Sequence, residues 1–374
     1  MFTVLAIGDP HFKDSNAQDT DIMTARIESV VMETKPDITV VLGDVSDSFN
    51  NVTIVTIQRM NDFLARIQGP SKHLYLIIGN HDRRNNYVYM TEEHPFGALK
   101  KWDRTTVVDT TVVSTHKDSE GIDRKFVFVP YVSPGKLNMA LQTKDMGIET
   151  ANSPDGLGGA MLVCTHQEYK DMKMGAVKSK SPDEWPLNAP PCINGHIHDY
   201  DLHQPNLYNV GAPIQLKFND RGGRTISLFT FDKGYLKGEK RFNLGLPPKF
   251  SITLTPQELA SGYIPPPGAQ VRITVKGPIS AVNSVMGMES VKTLAAMIGI
   301  KIIPDTTPDN QPKDVSMLKV RTNVDFQTRV IDSVSKQAEK YRVLFMTITG
   351  ITLRDGIVTE TINTNDDSGL LIIS

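Results

Sequence analysis

The sequence predicts a layered α/β domain followed by a small α+β domain, and three observations carry that expectation. Five short apolar runs each end in a small residue and then a carboxylate, amide or imidazole. Helical stretches separate the first three runs. A proline-containing break at residues 244–249 precedes a different order of strands and helices. Continuous apolar runs bounded by small residues read as strands buried on both faces.

Taken in order, TVLAIG leads into Asp9-Pro10-His11, a helix is expected over 20–34, and ITVVLG leads into Asp44. A second helix is expected over 51–68, and LYLIIG leads into Asn80-His81-Asp82. AMLVCT then leads into His166, and PPCING into His196-Ile197-His198. This strand, helix, strand, helix, strand order is that of an α/β sheet, where ligands gather outside the carboxyl ends of the strands. A polar residue after one strand is ordinary loop chemistry; five clusters placed alike point to one site.

The first domain is expected over residues 1–246, because LGLPPK at 244–249 follows a strand ending near Phe242 and reads as a linker. A second domain is expected over 249–354. In it QVRITVKG reads as a strand, 281–298 as a helix, GIKII and VSMLKV as strands, 325–342 as a helix and 345–353 as a last strand. Phe326, Val330, Val334, Ala338 and Tyr341 keep close to a 3.6-residue period. The tail, 355–374, is acidic and then apolar, and reads as a docking peptide or an edge strand.

Composition excludes several classes. The chain has 374 residues, 39% apolar and 22% charged, which excludes a disordered or collagen-like protein. Its longest apolar runs, such as Leu74 to Ile78, fall far short of the ~18 residues of a membrane span. The N-terminal apolar run lacks a basic leader, so an intracellular protein is expected. Cys164 and Cys192 are too few for a disulfide framework and suit a reducing compartment. A formal charge of −2 hides asymmetry, since 249–354 carries 13 basic and 8 acidic residues while the last twenty carry four acidic and no basic ones.

Asp9, His11, Asp44, Asn80, His166, His196 and His198 are the candidate metal ligands. Oxygen and imidazole donors without a thiolate suit Mn²⁺, Fe²⁺ or Zn²⁺, with Mg²⁺ also admissible. Seven donors exceed one tetrahedral ion but suit two divalent ions sharing a carboxylate, the arrangement used on phosphate esters. The i, i+2 spacing of Asp9/His11 and His196/His198 aims both members of each pair one way if the backbone is extended. Asp82 beside His81 is expected to orient that imidazole, making His81 a candidate acid.

In this order D-x-H, GD, GNHD, a lone histidine and GHxH resemble the calcineurin-like metallophosphoesterase superfamily over roughly residues 1–243. The resemblance implies a two-layer sandwich of mixed sheets flanked by helices, with a dimetal site at the strand ends. It implies that Asp9, His11, Asp44 and His198 hold one ion, that Asp44, Asn80, His166 and His196 hold the other, and that His81 acts on the leaving oxygen or the pentacoordinate state.

Within the superfamily the chain is most similar to the SbcD-type nucleases of DNA-end processing. Gln167 after His166, the stretch LYNVGAPIQLKFND followed by GGRTISLFTFD, and a compact second domain support this. The similarity implies a Mn²⁺-dependent 3′–5′ double-strand exonuclease and single-strand endonuclease, a capping second domain, an SbcC-type coiled-coil ATPase partner and a homodimer. Arg83, Arg84, Lys170, Lys173, Lys178 and Lys180 are candidate contacts to DNA phosphates. Competing readings are a phosphodiesterase of small diesters or nucleotides, and a DNA-end scaffold with a silent site. GNHD rather than GNHE weakens a protein-phosphatase reading.

Overall fold

In a computed structural model, the structure describes residues 1–49, 51–172, 179, 181–218 and 220–309, and the backbone of 351–354 and 357–361. The chain falls into two compact units, Met1–Thr306 and Thr307–Ser374. In the first unit the elements run β1 (Phe2–Ile7), α1 (Ala17–Thr34), β2 (Ile38–Val41), α2 (Ile54–Gln68), β3 (His73–Ile77), β4 (Thr105–Val108), β5 (Val112–Lys117), β6 (Asp123–Phe128), α3 (Leu137–Gln142), β7 (Ala160–Thr165), β8 (Cys192–Asn194), β9 (Asp201–Gln204), β10 (Leu207–Asn209), β11 (Thr225–Asp232) and β12 (Tyr235–Asn243).

These strands form two mixed six-stranded sheets, ordered β12-β11-β1-β2-β3-β4 and β5-β6-β7-β8-β10-β9. β1, β2, β3 and β4 are mutually parallel, with Val4 opposite Ile38 and Ile38 opposite His73, while β11 runs antiparallel to β1. In the second sheet β6, β7, β8 and β10 are parallel, and β5 and β9 close its edges in antiparallel fashion.

Side-chain alternation explains the layering. Leu5, Ile7 and Val41 pack outward with Met23 and Ile27 of α1 and Phe63 and Leu64 of α2. Their neighbours Val4, Ala6, Ile38 and Val40 point the other way and meet Phe126, Phe128, Leu162 and Cys164 of the second sheet. The far face of that sheet buries Val127 and Val163 with Leu137 and Leu141 of α3. Burial on both faces is why these strands are almost wholly apolar. The expected two-layer sandwich of mixed sheets flanked by helices is the observed fold of this region.

α1 and α2 begin near their expected starts. Thr53 caps α2 by accepting the Thr56 N–H at 3.1 Å. Thr53 and Thr56 hydroxyls both donate to Asp14, at 2.7 and 2.6 Å, which ties the start of α2 to the loop after β1.

After residues 244–248, which form no regular structure, come β13 (Lys249–Leu254), α4 (Pro256–Ala260), β14 (Gln270–Pro278), α5 (Ile279–Met286), α6 (Glu289–Ala295) and β15 (Ile300–Thr307). The sheet order is β13-β14-β15, around Val271, Ile273, Val275 and Val282. The single helix expected over 281–298 is two, because the chain turns at Gly287-Met288, where the Gly287 N–H closes α5 on the Asn283 carbonyl. β13 and α4 were not expected. Thr255 and Glu258 form a reciprocal capping box with Pro256 at the first helical position. Of the expected later elements, VSMLKV and the helix over 325–342 lie outside the described residues. In the second unit a hairpin pairs β16 (Ile351–Arg354) with β17 (Ile357–Thr361) in antiparallel fashion. No helix among the described residues is long and apolar enough to cross a membrane. Cys164 and Cys192 are buried and free.

His73 and His116, outside the sequence clusters, are half-buried beside Tyr75 of the layer between the sheets. The His73 ring lies 4.6 Å from Tyr75 and 5.5 Å from His116, and its Nε2 is 2.9 Å from the Thr106 hydroxyl. Burial first, then the positive charges of His116 and Arg104, push its pKa down to about 4; burial also lowers His116. The folded protein therefore holds these rings neutral, while the unfolded chain takes up protons near pH 6.5. Their contribution to stability is complete above about pH 6.5 and is lost as pH falls, for His73 toward 4. The melting temperature should drop across that window, and His73→Gln with His116→Gln should flatten the drop; an unchanged slope in the double variant would refute the assignment.

Candidate metal centre

The strand ends deliver their polar residues by kinked, not extended, backbone. Asp9 follows β1, but His11 has φ +49°, and Asp44 (φ +49°) and His196 (φ +73°) are also left-handed. Non-glycine residues in this region carry strain that a surrounding core must support. Here the His11 N–H donates to the Asp44 carbonyl at 2.9 Å, and the His196 N–H to Asp9 Oδ1 at 2.9 Å. The extended i, i+2 argument thus gives the right convergence through a different conformation.

Asp44 stands at the centre. Its Oδ1 accepts the His81 N–H at 2.8 Å. Its Oδ2 faces His166 Nε2 at 3.3 Å on one side and His11 Nε2 at 3.8 Å on the other. Around it two groups form. In one, His11 Nε2 and His198 Nε2 are 3.1 Å apart. In the other, Asn80 Oδ1 is 3.0 Å from His166 Nε2 and 2.8 Å from His196 Nδ1, and those two nitrogens are 3.3 Å apart. Six of the candidate ligands are thereby brought together, and Asp9 is the seventh, its Oδ1 3.4 Å from His166 Nδ1.

The electrostatics suit two cations. Burial opposes a charge on His166, yet Asp44, Asp9 and the Leu42 carbonyl outweigh it and push its pKa up to about 9. For Asp44, burial is outweighed by the positive charges of His166, His11 and His81, which hold its carboxyl well below the usual range. His11 is raised, against burial, by Asp47, Asp44 and Asp9, while burial pushes His198 down to about 4. Each group is thus organised around a positive charge at the point where its nitrogens and oxygens meet. Asp9 Oδ2 and His196 Nε2 are buried and make no hydrogen bond among the described residues. Imidazole lone pairs this close, with carboxylates in reach, form a donor set that fits two divalent ions.

Glycines clear the space. A Cβ on Gly79 would fall inside the Asp44 carboxylate, and one on Gly43, itself at φ +109°, would meet His166 Nδ1 at 2.5 Å. His166 Nδ1 is held by the Leu42 carbonyl at 2.7 Å, which leaves Nε2 for the centre.

The residues around the ligands depart from expectation in three places. Asp82 does not orient His81: its oxygens accept the Ser46 and Gly79 N–H groups, both at 2.9 Å, and clamp the loop after β2 to the loop after β3. Burial and the Asp44 charge push its carboxyl up to about 6; cations at Asp44 would reverse the second cause. His81 is oriented instead by the Asp47 carbonyl, 3.1 Å from Nδ1, and by stacking on Phe49 at 4.4 Å. Arg83 is no phosphate contact. It is buried under the Tyr131 ring, 4.8 Å from its centroid, and its Nη1 donates to the Tyr131 carbonyl at 3.0 Å. The residue after GNHD turns inward because the clamp on Asp82 carries the chain beneath the site.

Arg84 is exposed, and Lys170 pairs with Glu184 at 2.6 Å. Lys173, Lys178 and Lys180 lie outside the described residues. The Gln167 side chain is buried against the Pro130 carbonyl at 2.9 Å, away from the centre.

Two carboxylates to which the sequence analysis gave no role in the site complete it. Asp47 Oδ1 is 3.0 Å from His11 Nδ1, and its Oδ2 is 2.9 Å from Lys13 Nζ. Burial is outweighed by these two partners, which bring the Asp47 pKa down to about 2. Glu168 Oε1 is 3.5 Å from His196 Nε2. The spacings D-x-x-D and H-x-E were the available signals. The centre opens into a cleft of about 510 Å³ lined by Asp44, Phe49, Asn80, His81, Tyr131, Glu168, His196, His198, Asp199, Lys217 and Asp220, among others.

Comparison with known proteins agrees with this geometry. A family model described as calcineurin-like phosphoesterase matches residues 2–200. The protein named "Putative phosphoesterase 078R" of Invertebrate iridescent virus 3 is 33% identical over 265 residues, covering 70% of this chain and 72% of that protein. Its counterpart 244L of Invertebrate iridescent virus 6 is 29% identical over 230 residues, covering 61% and 76%. Among solved structures, GAP50, described as the anchor in the inner membrane complex of Plasmodium, aligns with a TM-score of 0.39 at 10% identity over 66% of this chain and 90% of that one. An alignment at that level carries no argument about function.

Loss of a partner that orients a metal-binding imidazole typically costs roughly 10–100-fold in metal affinity. Asp47→Ala should weaken one ion and Glu168→Ala the other by that order, each leaving one tight ion in Mn²⁺ calorimetry. Two unchanged sites in both variants would remove the role given to these carboxylates. Asp82→Ala leaves two buried N–H groups unpaired, at about 1–3 kcal/mol each, and should lower the melting temperature of the metal-free protein; an unchanged melt would refute the clamp.

Proposed function

Because the chain belongs to the calcineurin-like phosphoesterase family, we propose that it is a dimetal-dependent DNA nuclease of the SbcD type, trimming duplex ends 3′ to 5′ and nicking single strands. The chain is a metal-dependent phosphoester hydrolase of a family that uses a dimetal centre. The observation that carries the reading is the convergence of two donor groups on Asp44 Oδ2, with His81 on the wall of the same cleft.

Asp9, His11, Asp44 and His198 would hold one ion; Asp44, Asn80, His166 and His196 would hold the other. When bound, the ions supply an activated water and neutralise charge on the phosphate. The chain's own residues do the rest. Asp44 keeps the two groups in one register, while Asp47 and Glu168 set a carboxylate beside the outer nitrogens of His11 and His196. His81 has its Nδ1–H fixed on the Asp47 carbonyl, which leaves Nε2 to meet the leaving oxygen. Burial lowers the proton affinity of His81 against the Asp44 charge that raises it, and an anionic phosphate beside the ring favours its protonated form.

Support for DNA as substrate comes from the motif set, from GNHD and from the second α+β element set. The same resemblance supports Mn²⁺ as the metal, an SbcC-type coiled-coil ATPase as partner and a homodimer. Free buried thiols and the viral relatives support an intracellular setting, the host cytoplasm for a virus-encoded chain. One observation favours the second reading, a phosphodiesterase of small diesters: the described cleft wall holds Glu168, Asp199 and Asp220 against Lys217.

Purified chain with Mn²⁺ should convert an end-labelled duplex to a product ladder that His81→Ala abolishes or slows by about 10²–10⁴-fold while DNA binding persists. Hydrolysis of bis-p-nitrophenyl phosphate with DNA left intact, in the presence and absence of an SbcC-type subunit, would overturn the nuclease reading in favour of the small-diester one.

A further inference from the structure

Beside the metal cleft lies a second, smaller cavity of about 200 Å³ that none of the motifs predicts. Three guanidinium groups face it. Arg221 is exposed on the Gly222-Gly223 loop, its Nε 3.9 Å from Asp199 Oδ2, and a Cβ on either glycine would meet nothing within 4 Å. Arg241 lies flat over the Tyr200 ring, 3.5 Å from its centroid, and is steered by the Thr225 hydroxyl at 3.0 and 3.2 Å.

Arg224 is 9% exposed, its Nη1 donates to the His198 carbonyl, and its Nε and Nη2 make no hydrogen bond among the described residues. Nη2 lies 3.3 Å from Asp199 Oδ1 and, from the cleft side, 3.7 Å from Asp220 Oδ2. Asp199 is the one carboxylate in the cavity wall among the described residues, and it also lines the metal cleft. Arg224 Nη2 is thus ion-paired while its Nε is not, and three arginines against the single carboxylate of the cavity wall leave a surplus of guanidinium donors that suits an oxyanion. The space holds several times the ~30 Å³ share of a water molecule, room for a phosphate group.

We propose that this cavity is an anion subsite that takes a backbone phosphate of the DNA strand flanking the scissile one. The proposal rests on the nuclease reading. Phosphate contacts of this kind position a strand without reading its sequence. Arg224 joins the two sites physically, because the residue whose carbonyl it holds, His198, is a candidate ligand. A strand phosphate seated there would fix how far the next phosphate reaches toward Asp44.

The test uses the full-length chain in Ca²⁺, fluorescein-labelled DNA and a salt series, comparing wild type with Arg221→Ala/Arg241→Ala and with the exposed-site reversal Arg221→Glu. Thermal melts confirm that the variants fold. Removing one arginine–phosphate interaction should reduce the slope of log K against log salt by about 0.9 for duplex DNA. The double variant should therefore lose roughly 1–2 units of slope and bind about tenfold more weakly, and Arg221→Glu should weaken binding in the same direction. Variants that match wild type in slope and affinity, while wild type binds and cuts DNA, overturn the subsite and leave the nuclease reading intact. A wild type that neither binds nor cuts DNA overturns the nuclease reading and the subsite with it. Wild type stabilised by inorganic phosphate through these arginines, with an unchanged DNA slope in the variants, identifies a free-anion site and also overturns the proposal.

Discussion

The Asp44 carboxylate is the constraint on which the rest of the centre depends. One oxygen is tied by the His81 N–H; the other is left to two donor groups at once. A carboxylate can do this only where its backbone is bent out of the strand and nothing crowds it. The left-handed φ of Asp44 and the bare Cα atoms of Gly43 and Gly79 meet those two conditions. Two sheets must also end at the same place, since Asp9, Asp44 and Asn80 come from one sheet while His166, His196 and His198 come from the other. The shared apolar layer between the sheets, with Val40 and Ile77 against Cys164 and Ile193, sets that registry.

Such a centre is costly without its cations. Buried imidazoles whose nitrogens lie 3.1 to 3.3 Å apart repel unless a proton or metal lies between them. The raised His166 and the depressed His198 are two answers to the same problem, one ring keeping a proton and the other giving it up. Metal binding displaces protons from such nitrogens, so ion affinity falls as pH is lowered. The three apolar layers, one between the sheets and one outside each, hold the ligands in place.

The sequence made the ligands readable because each is local: a buried strand, a small residue, then a donor. Asp9, His11, Asp44, Asn80, His166, His196 and His198 all obey that grammar. Asp82 and Arg83 obey it too, yet turn away, because a carboxylate can equally accept backbone N–H groups and a guanidinium can equally stack under Tyr131. Nothing in a one-dimensional string separates those uses. Asp47 and Glu168 were harder still, since orienting an imidazole requires knowing which ring nitrogen is free. In the second half, the capping box at Thr255–Glu258 was legible but masked by neighbouring prolines, and the turn at Gly287-Met288 broke what periodicity alone makes one helix.

The charge on the cleft wall follows from the same logic. Carboxylates such as Glu168 sit near the ions because they orient ligands, and they would by themselves repel a polyanion. Each is engaged with a cationic or metal-facing partner, Glu168 with His196 and Asp199 and Asp220 with Arg224, so little of that negative charge is free. Arg221, whose Nε is 3.9 Å from Asp199 Oδ2, and Arg241, stacked on Tyr200, line the neighbouring cavity. A phosphate held at that cavity would lie beside the metal cleft, because Asp199 lines both.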